Sequence, residues 1–510
     1  MKPERTERVT RNLAVPEDKA MQRYYTYKTE SHKAEEFSPA RFESDGVISL
    51  GGKEIPYHTV SEDNVFYDDE GKAVASIFSY SYFRSDVDDS SSRPVLFGFN
   101  GGPGSSSMYV HAGFLGTKRL SYGEIERETA LPPYEVVDNP DCLLDVADLV
   151  VVDPVGCGYG ILLDYEKRKD FYGLEEDAEA FLQFVESWLH RYGRWNSPKY
   201  LVGESYGCTR AALAAGIAAT NGNYRTYGVS FDGIVMIGNT VTMGKYFGKD
   251  LPVEQAVIDF PTIAAIHWYH HPNEQGLEEF VREAKDFADR EYLLALHKGE
   301  ALTGSARKEV IEKIGQYTGM PERVLEDRAL RMDLQTFRQE ALRSFGKAVS
   351  RYDGRLTRPR LCPEIVEKAE GKRDDASDDR WKSAFYGALC GHILPLLRVR
   401  LERQYLKSNK LPDGWDPAES KGTTWEQLRN AMTRMMGMRV FFANGWYDGA
   451  TVTGHIFYLM NHAGLPRERV CFRGYESGHM IYLGEDNVKA LCSDIRAFMA
   501  SGMPGQTFGD

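Results

Sequence analysis

Tyr200-Leu201-Val202-Gly203-Glu204-Ser205-Tyr206-Gly207, running on into the alanine-rich stretch Thr209 to Thr220, is the passage whose reading decides the fold. The apolar residues before Gly203 predict a buried strand, and the alanines after Gly207 predict a helix. Between them, two glycines flank a serine, so the chain turns sharply there, strand and helix approach closely, and the serine hydroxyl is pushed out of the backbone. This is the pattern of a nucleophile elbow, and it occurs once in the chain.

Short apolar runs bounded by turn residues recur on both sides of the elbow: Val95 to Phe99, Leu149 to Val152, Gly233 to Ile237, Val440 to Ala443 and Val470 to Phe472. Helical patterns alternate with them, as in Glu175 to His190 and Asn487 to Met499. Such alternation predicts an α/β fold with a mostly parallel central sheet covered by helices. The rhythm stops between residues 245 and 430, where Glu, Lys, Arg, Leu and Ala recur at helical spacing in Leu277 to His297, Ser305 to Thr318 and Pro321 to Phe345. We read 245–430 as a helical cap insertion in a core formed by 46–244 and 431–510, placed above the strand C-termini where open sheets keep their sites. GKRDDASDDR (371–380) reads as a polar loop, and residues 1–45 as a charged N-terminal arm, with ordered structure starting near Gly46.

Bulk composition narrows the function classes. The 510 residues carry a formal charge of −13, with no basic stripe of the kind nucleic acid requires. No apolar run reaches the roughly eighteen residues of a membrane span, and the N-terminus has no signal-peptide core. Seven scattered cysteines without a C-x-x-C pair predict reduced thiols rather than a disulfide framework or a cysteine-based zinc site. These features point to a soluble cytoplasmic protein with neither nucleic acid nor membrane as partner. His267, His270 and His271 lack a suitably spaced acidic residue and fit a helix end before Pro272, so no metal is expected. Gly156-Cys157-Gly158-Tyr159-Gly160 lacks dinucleotide-loop spacing, so no cofactor is expected either. Trp268 and Tyr269 are candidates for core packing or for lining an apolar side-chain pocket.

A serine hydroxyl is too weakly acidic to attack a carbonyl unaided, so it needs a base and an orienting acid. In elbow folds these follow in the order Ser, Asp or Glu, His, each in a loop after a strand. Asp448 follows Val440 to Ala443, and His479 follows Val470 to Phe472. The rivals His455 and His462 lie in a helix-like run, Val452 to His462. Acyl transfer also needs amide donors for the oxyanion. One is Tyr206 N–H, and the glycine-rich Asn100 to Ser107 after Val95 to Phe99 is the source of the other.

NGGPGSSS (100–107), VVDPVGCGYG (151–160), GESYG (203–207), NGWYDGAT (444–451) and YESGHM (475–480), in this order, resemble the serine carboxypeptidase family of α/β-hydrolases. The resemblance covers roughly 46–240 and 435–500, and it suggests a bacterial-type cytoplasmic member, since Ser105 stands where secreted members often carry cysteine. It implies an α/β-hydrolase fold and a peptidase releasing C-terminal residues through an acyl-enzyme. Ser205 is then the nucleophile, His479 the base, Asp448 its orienter, and the Gly102 and Tyr206 amides the oxyanion hole. Asn100, Gly101 and Glu204 would bind the substrate, with Asn100 and Glu204 on its terminal carboxylate. A glutamate binds a carboxylate only if one of the two is protonated, so binding should improve in acid.

Two departures fall in that subsite. Gly98 replaces the family's tryptophan, and Phe114 stands at the place of a second glutamate. Lys118 and Arg119 are the nearby cations that could serve instead. A carboxypeptidase-like acyltransferase or esterase, acting on another acyl substrate, stays open as the alternative, as does a non-catalytic binding protein on the same fold. A homodimer is left open.

Overall fold

The computed structural model describes residues 37–123, 131–222, 224, 228–242, 252–360, 375–409 and 423–500. Nine strands form the path of one central sheet: β1 (Arg41–Leu50), β2 (Lys53–Tyr67), β3 (Ala73–Arg84), β4 (Val95–Phe99), β5 (Asp148–Asp153), β6 (Lys199–Glu204), β7 (Gly233–Ile237), β8 (Arg439–Gly445) and β9 (Val470–Tyr475). Their spatial order is β1-β2-β3-β5-β4-β6-β7-β8-β9, with the short strand Ile161–Leu162 pairing beside β3. The pairs from β5 to β9 are parallel, and those from β1 to β5 are antiparallel. This mostly parallel sheet with helices is the α/β-hydrolase fold.

Alternation along each strand sends side chains to opposite faces. Val95, Phe97 and Phe99 join one hydrophobic core and Leu96 the other, and β5 divides the same way, Val150 and Val152 against Leu149 and Val151. Helices α1 (Leu174–Arg191), α2 (Tyr206–Thr220) and α4 (Thr424–Arg434) bury their apolar residues in the first core, and α6 (Glu485–Ala500) in the second. Phe97 meets Phe181, Phe184 and Trp188 of α1 edge-on, with ring centroids 5.3–6.4 Å apart. Each such fully buried side chain contributes about 1.5–3 kcal/mol relative to exposure.

Several expectations need correction. β1 begins at Arg41, ahead of the Gly46 start, and the antiparallel β1–β3 arm was not expected. Its residues include Ser76, Ser79 and Ser81, buried polar groups that hide the strands' apolar pattern; Ser76 donates to Asp63 at 2.8 Å, and Ser81 accepts from the Trp188 indole at 3.0 Å. The expected helix Pro321 to Phe345 is broken into Glu322–Asp327 and Leu334–Glu340, because Ala329 and Leu330 take positive φ (50° and 65°) between them. The stretch 245–430 also holds a strand pair, Lys347–Val349 with Thr357–Pro359. Of the polar tract 371–380, residues 371–374 lie outside the described residues; Asp375 is no loop residue but caps a helix, Ala376–Ala388, by accepting from Ser377 N–H. Two further helices bear on the site, α3 (Pro252–His270) after β7 and α5 (Thr453–His462) after β8.

Candidate active site

Ser205 sits between the end of β6 and the start of α2 with φ 58° and ψ −127°. A non-glycine residue held there costs on the order of 1–3 kcal/mol, so the surroundings must enforce the turn. They do so from three sides. Ser205 N–H donates to Ile237 O of β7 at 2.8 Å, Cys208 N–H returns to Ser205 O at 2.8 Å, and the Thr240 hydroxyl donates to the same oxygen at 2.8 Å. A Cβ on Gly203 would stand 2.3 Å from Gly207 O, so strand and helix can approach this closely only with glycine present.

The glycine loop lies against the elbow. A Cβ on Gly101 would meet Tyr206 N at 2.3 Å and Gly207 N at 2.6 Å. The backbone of the loop thereby abuts the first amides of α2, the arrangement an oxyanion hole made by Gly102 and Tyr206 requires. A buried ion pair behind the loop, unread in the sequence, fixes that contact. Arg210 of α2 donates through Nε to Asp177 of α1 at 2.7 Å and through Nη1 to Asn100 O at 2.8 Å, while the Tyr206 hydroxyl donates to Asp177 at 3.0 Å. Their value lies in tying two helices to the loop, since a buried pair by itself adds little net stability.

Asp448 and His479 meet as expected. His479 Nδ1–H donates to Asp448 Oδ2 at 2.8 Å, with Asp448 wholly buried and His479 7% exposed. Asp448 Oδ1 accepts from Ala450 N–H at 2.7 Å and Thr451 N–H at 3.0 Å, and the Thr451 hydroxyl also donates to Asp448 Oδ2. This geometry leaves His479 Nε2 as the acceptor. Burial alone would push the His479 pKa down, but the charge and hydrogen bond of Asp448, helped by Glu204, outweigh it and raise the imidazole above its usual range.

Ser205 and His479 border adjacent residues at the end of β7: Ser205 N–H bonds to Ile237 O, and a Cβ on the next residue, Gly238, would lie 2.9 Å from His479 Cε1. No Ser205–His479 hydrogen bond is formed among the described residues. In unliganded serine hydrolases this contact is often long and tightens in the substrate complex. His455 is half-buried and approaches Gln255 of α3 at 3.3 Å, and His462 bonds to Tyr458 O at 2.8 Å within α5, so both rivals face other partners.

Asn100 and Glu204 also come together. Asn100 Nδ2 donates to Glu204 Oε1 at 2.9 Å, and both residues are nearly buried, 2% and 3% exposed. Burial pushes Glu204 up to about 7, against the opposing pull of His479. Its Oε2 and the Tyr482 hydroxyl, both buried, lack a hydrogen bond of normal geometry, yet they lie near enough that Glu204 adds to the rise that burial causes in the Tyr482 phenol. Phe114 packs on Tyr482 with ring centroids 5.1 Å apart.

The cations proposed from the sequence are committed elsewhere. Lys118 pairs with Asp138, and the buried Arg119 guanidinium forms a two-pronged contact with Glu485. A buried arginine has to be paired, and Glu485 at the start of α6 meets that need. Among the described residues no three His, Cys, Asp or Glu side chains cluster as metal ligands; His267 and His270 lie in the last turn of α3, and His271 follows it directly.

Residues 66–256 match the serine carboxypeptidase family, a span that includes the glycine loop and the elbow but neither Asp448 nor His479. Serine carboxypeptidase-like 25 of Arabidopsis thaliana is 29% identical over 210 residues, 40% of this chain and 41% of that protein. Pheromone-processing carboxypeptidase KEX1 of Candida tropicalis is 29% identical over 167 residues, 32% of this chain and 21% of that one. The chain therefore spans less than half the length of these relatives. A solved prohormone-processing carboxypeptidase from Saccharomyces cerevisiae superposes with a TM-score of 0.52 at 13% identity, over 87% of this chain and 91% of that one, a likeness of fold. Over residues 66–256, this α/β-hydrolase-fold chain is similar to the serine carboxypeptidase family.

Proposed function

We propose that the protein is a serine carboxypeptidase working through a Ser205–His479–Asp448 triad. The observation that carries this reading is the buried Asp448–His479 hydrogen bond at 2.8 Å, with the His479 ring against Gly238 and the preceding Ile237 carbonyl holding the N–H of the serine on the strained elbow. His479 Nε2 takes the proton from Ser205 Oγ as that oxygen attacks the carbonyl carbon of the last peptide bond. The developing oxyanion is held by the Gly102 and Tyr206 amides, and the imidazolium is stabilised by Asp448. Collapse breaks the C–N bond, His479 gives its proton to the leaving amine, and water attacks the resulting ester by the same route in reverse. Glu204, with a pKa near neutrality, can be protonated while a substrate carboxylate docks beside Asn100.

Within this proposal, 245–430 serves as the cap of the cleft, a role supported by the Ser350–Leu356 backbone lying against the His479 loop. A bacterial-type, cytoplasmic setting belongs to the same proposal. Its support is that Cys142, Cys157, Cys208, Cys390 and Cys492 form no disulfide among the described residues; the relatives named above are plant and yeast proteins and do not add to it. An esterase or acyltransferase using the same triad is the second reading, favoured by Gly98 and by the buried Phe114 in the carboxylate subsite.

A fluorophosphonate probe followed by paired substrates tests the proposal. Labelling should occur in the native protein and vanish in Ser205→Ala, and a blocked dipeptide should be cleaved faster than its C-terminal amide. No labelling of the native protein overturns the enzyme reading. Equal turnover of acid and amide overturns the carboxypeptidase reading in favour of general acyl hydrolysis.

A further inference from the structure

The segment Ser350 to Leu356 leaves the insertion and lies along the loops that hold Asp448 and His479. His479 N–H donates to Tyr352 O at 2.6 Å, and Gly354 N–H donates to Tyr447 O at 2.8 Å. Arg355 donates to Glu476 O at 2.9 Å and to the Ser477 hydroxyl at 3.1 Å, and it pairs with Asp353 at 2.8 Å. The approach depends on an absent side chain: a Cβ on Gly478 would stand 2.4 Å from Tyr352 O. So anchored, the Tyr352 ring lies 5.4 Å from the His479 ring, and the Arg351 guanidinium carbon lies 5.6 Å from the centroid of the Tyr352 ring.

Arg351 differs from the other arginines around it. Arg355 is neutralised by Asp353, and Arg338 by Asp375 at 3.5 Å. From Arg351, Asp375 accepts the backbone N–H alone, at 2.6 Å. The exposed Arg351 guanidinium forms no ion pair among the described residues, and its described contact is the aromatic face of Tyr352. An uncompensated cation here works against the reaction in the empty site, because it disfavours the imidazolium His479 must become; its charge pulls the His479 pKa down. An anion seated on Arg351 would cancel that effect as the substrate arrives. Guanidinium is also the side chain best matched to a carboxylate, through paired N–H donors.

The geometry points to Arg351, carried on Tyr352 beside His479, as the docking cation for the free α-carboxylate of the peptide's last residue. The inference rests on the carboxypeptidase reading and names a residue outside the Asn100–Glu204 pair. It adds a cation from the insertion to the Asn100–Glu204 side of the chain-end subsite, so the insertion takes part in selecting which peptides reach the triad.

Initial rates on a blocked dipeptide acid and its amide, for the native protein, Arg351→Gln, Arg351→Lys and Lys118→Gln, test it. A charge-assisted contact is worth about 1.5–3 kcal/mol, so Arg351→Gln should cut the acid-over-amide preference in kcat/KM by about 10–100-fold, mainly through the KM of the acid. Arg351→Lys should restore part of the preference. Lys118→Gln, whose ammonium is already paired with Asp138, should keep it whole. Added salt should raise the acid's KM in the native protein and barely in Arg351→Gln. A native preference for the acid that Arg351→Gln leaves intact overturns this inference while the carboxypeptidase reading stands. Equal losses on acid and amide also overturn it, since they mark a structural role. No native preference removes both.

Discussion

Ser205 and the glycine loop hang from β6 and β4, neighbouring central strands in which Phe99 pairs with Gly203. Asp448 and His479 follow β8 and β9 at the other end of the parallel run, and there the bracing comes partly from outside the sheet, through Tyr352, Asp353 and Arg355. In the nucleophile half backbone is pressed on backbone, with glycines where a Cβ would collide and the Asp177–Arg210 pair tying the contact from behind. The base half is oriented by the carboxylate of Asp448 and by the Tyr352 carbonyl, which accepts from His479 N–H. A turn under strain has to be rigid before substrate arrives, whereas an imidazole that must accept and release a proton is better oriented by hydrogen bonds that persist in both charge states.

The largest effect expected from breaking either half is loss of the nucleophile. Ser205→Ala should lower kcat by about 10⁶-fold, leaving the residual rate of oxyanion stabilisation and binding. Substrate binding to the variant should persist, measurable by calorimetry with a blocked dipeptide acid. A fall of only a few-fold would mean that another group carries the attack.

On the base half, Asp448→Asn should cost about 10⁴-fold in kcat by disturbing the His479 tautomer and removing the charge that stabilises the imidazolium. The pH profile sharpens the point. The working base is neutral His479, so activity falls as pH drops through its pKa. In the native protein that pKa is raised, placing the acid limb above pH 6.5; without the Asp448 charge, burial dominates and the limb should move down. A limb that stays in place would show that Asp448 does not set the ionisation of the base. At the alkaline side, Glu204 loses its proton near pH 7, so the KM for a free-carboxylate substrate should rise above that pH while that of the amide does not.

Gly101→Ala tests the nucleophile half by overfilling it. The added carbon would sit 2.3 Å from Tyr206 N, a backbone atom that cannot swing aside, so the loop must move and its oxyanion donors with it. The expected loss is about 10²–10³-fold in kcat, with little change in KM. Thermal denaturation separates this from unfolding, since the effect should remain in a variant that still melts cooperatively.

The two halves were unequally legible in the sequence. Strand, elbow and helix at 199–220, the glycine loop and the two later loops carrying Asp448 and His479 are local patterns, where residue order alone limits the backbone, and in the structure each of these loops follows directly on a strand of the central sheet. The ion pair Asp177–Arg210, the bracing of His479 by Tyr352 and the pairing of Arg119 with Glu485 join residues far apart in the chain, and no periodicity marks them. Lys118 and Arg119 looked available because sequence shows charges without their partners. The β1–β3 arm was missed for a related reason. Its buried serines read as polar until their hydrogen bonds to Asp63 and Trp188 are seen.

Thr451 is the smallest test and the one that most directly probes how the base half works. Its N–H and hydroxyl both bond to Asp448, and its hydroxyl also lies 3.2 Å from His479 Nδ1. Thr451→Val keeps the shape and the backbone bond but removes the hydroxyl donor, leaving Asp448 Oδ2 with the His479 N–H alone. Two effects then compete. The carboxylate, less shared, should hold the imidazolium more strongly and raise the His479 pKa; the ring, less confined, should be aligned for a smaller part of the time. A net hydrogen bond contributes about 0.5–1.5 kcal/mol, so kcat should fall by no more than about 10-fold while the acid limb moves up. An acid limb that moves down instead would mean that Thr451 stabilises the charged imidazole, and the bracing of this half would then have to be assigned to the hydroxyl rather than to Asp448.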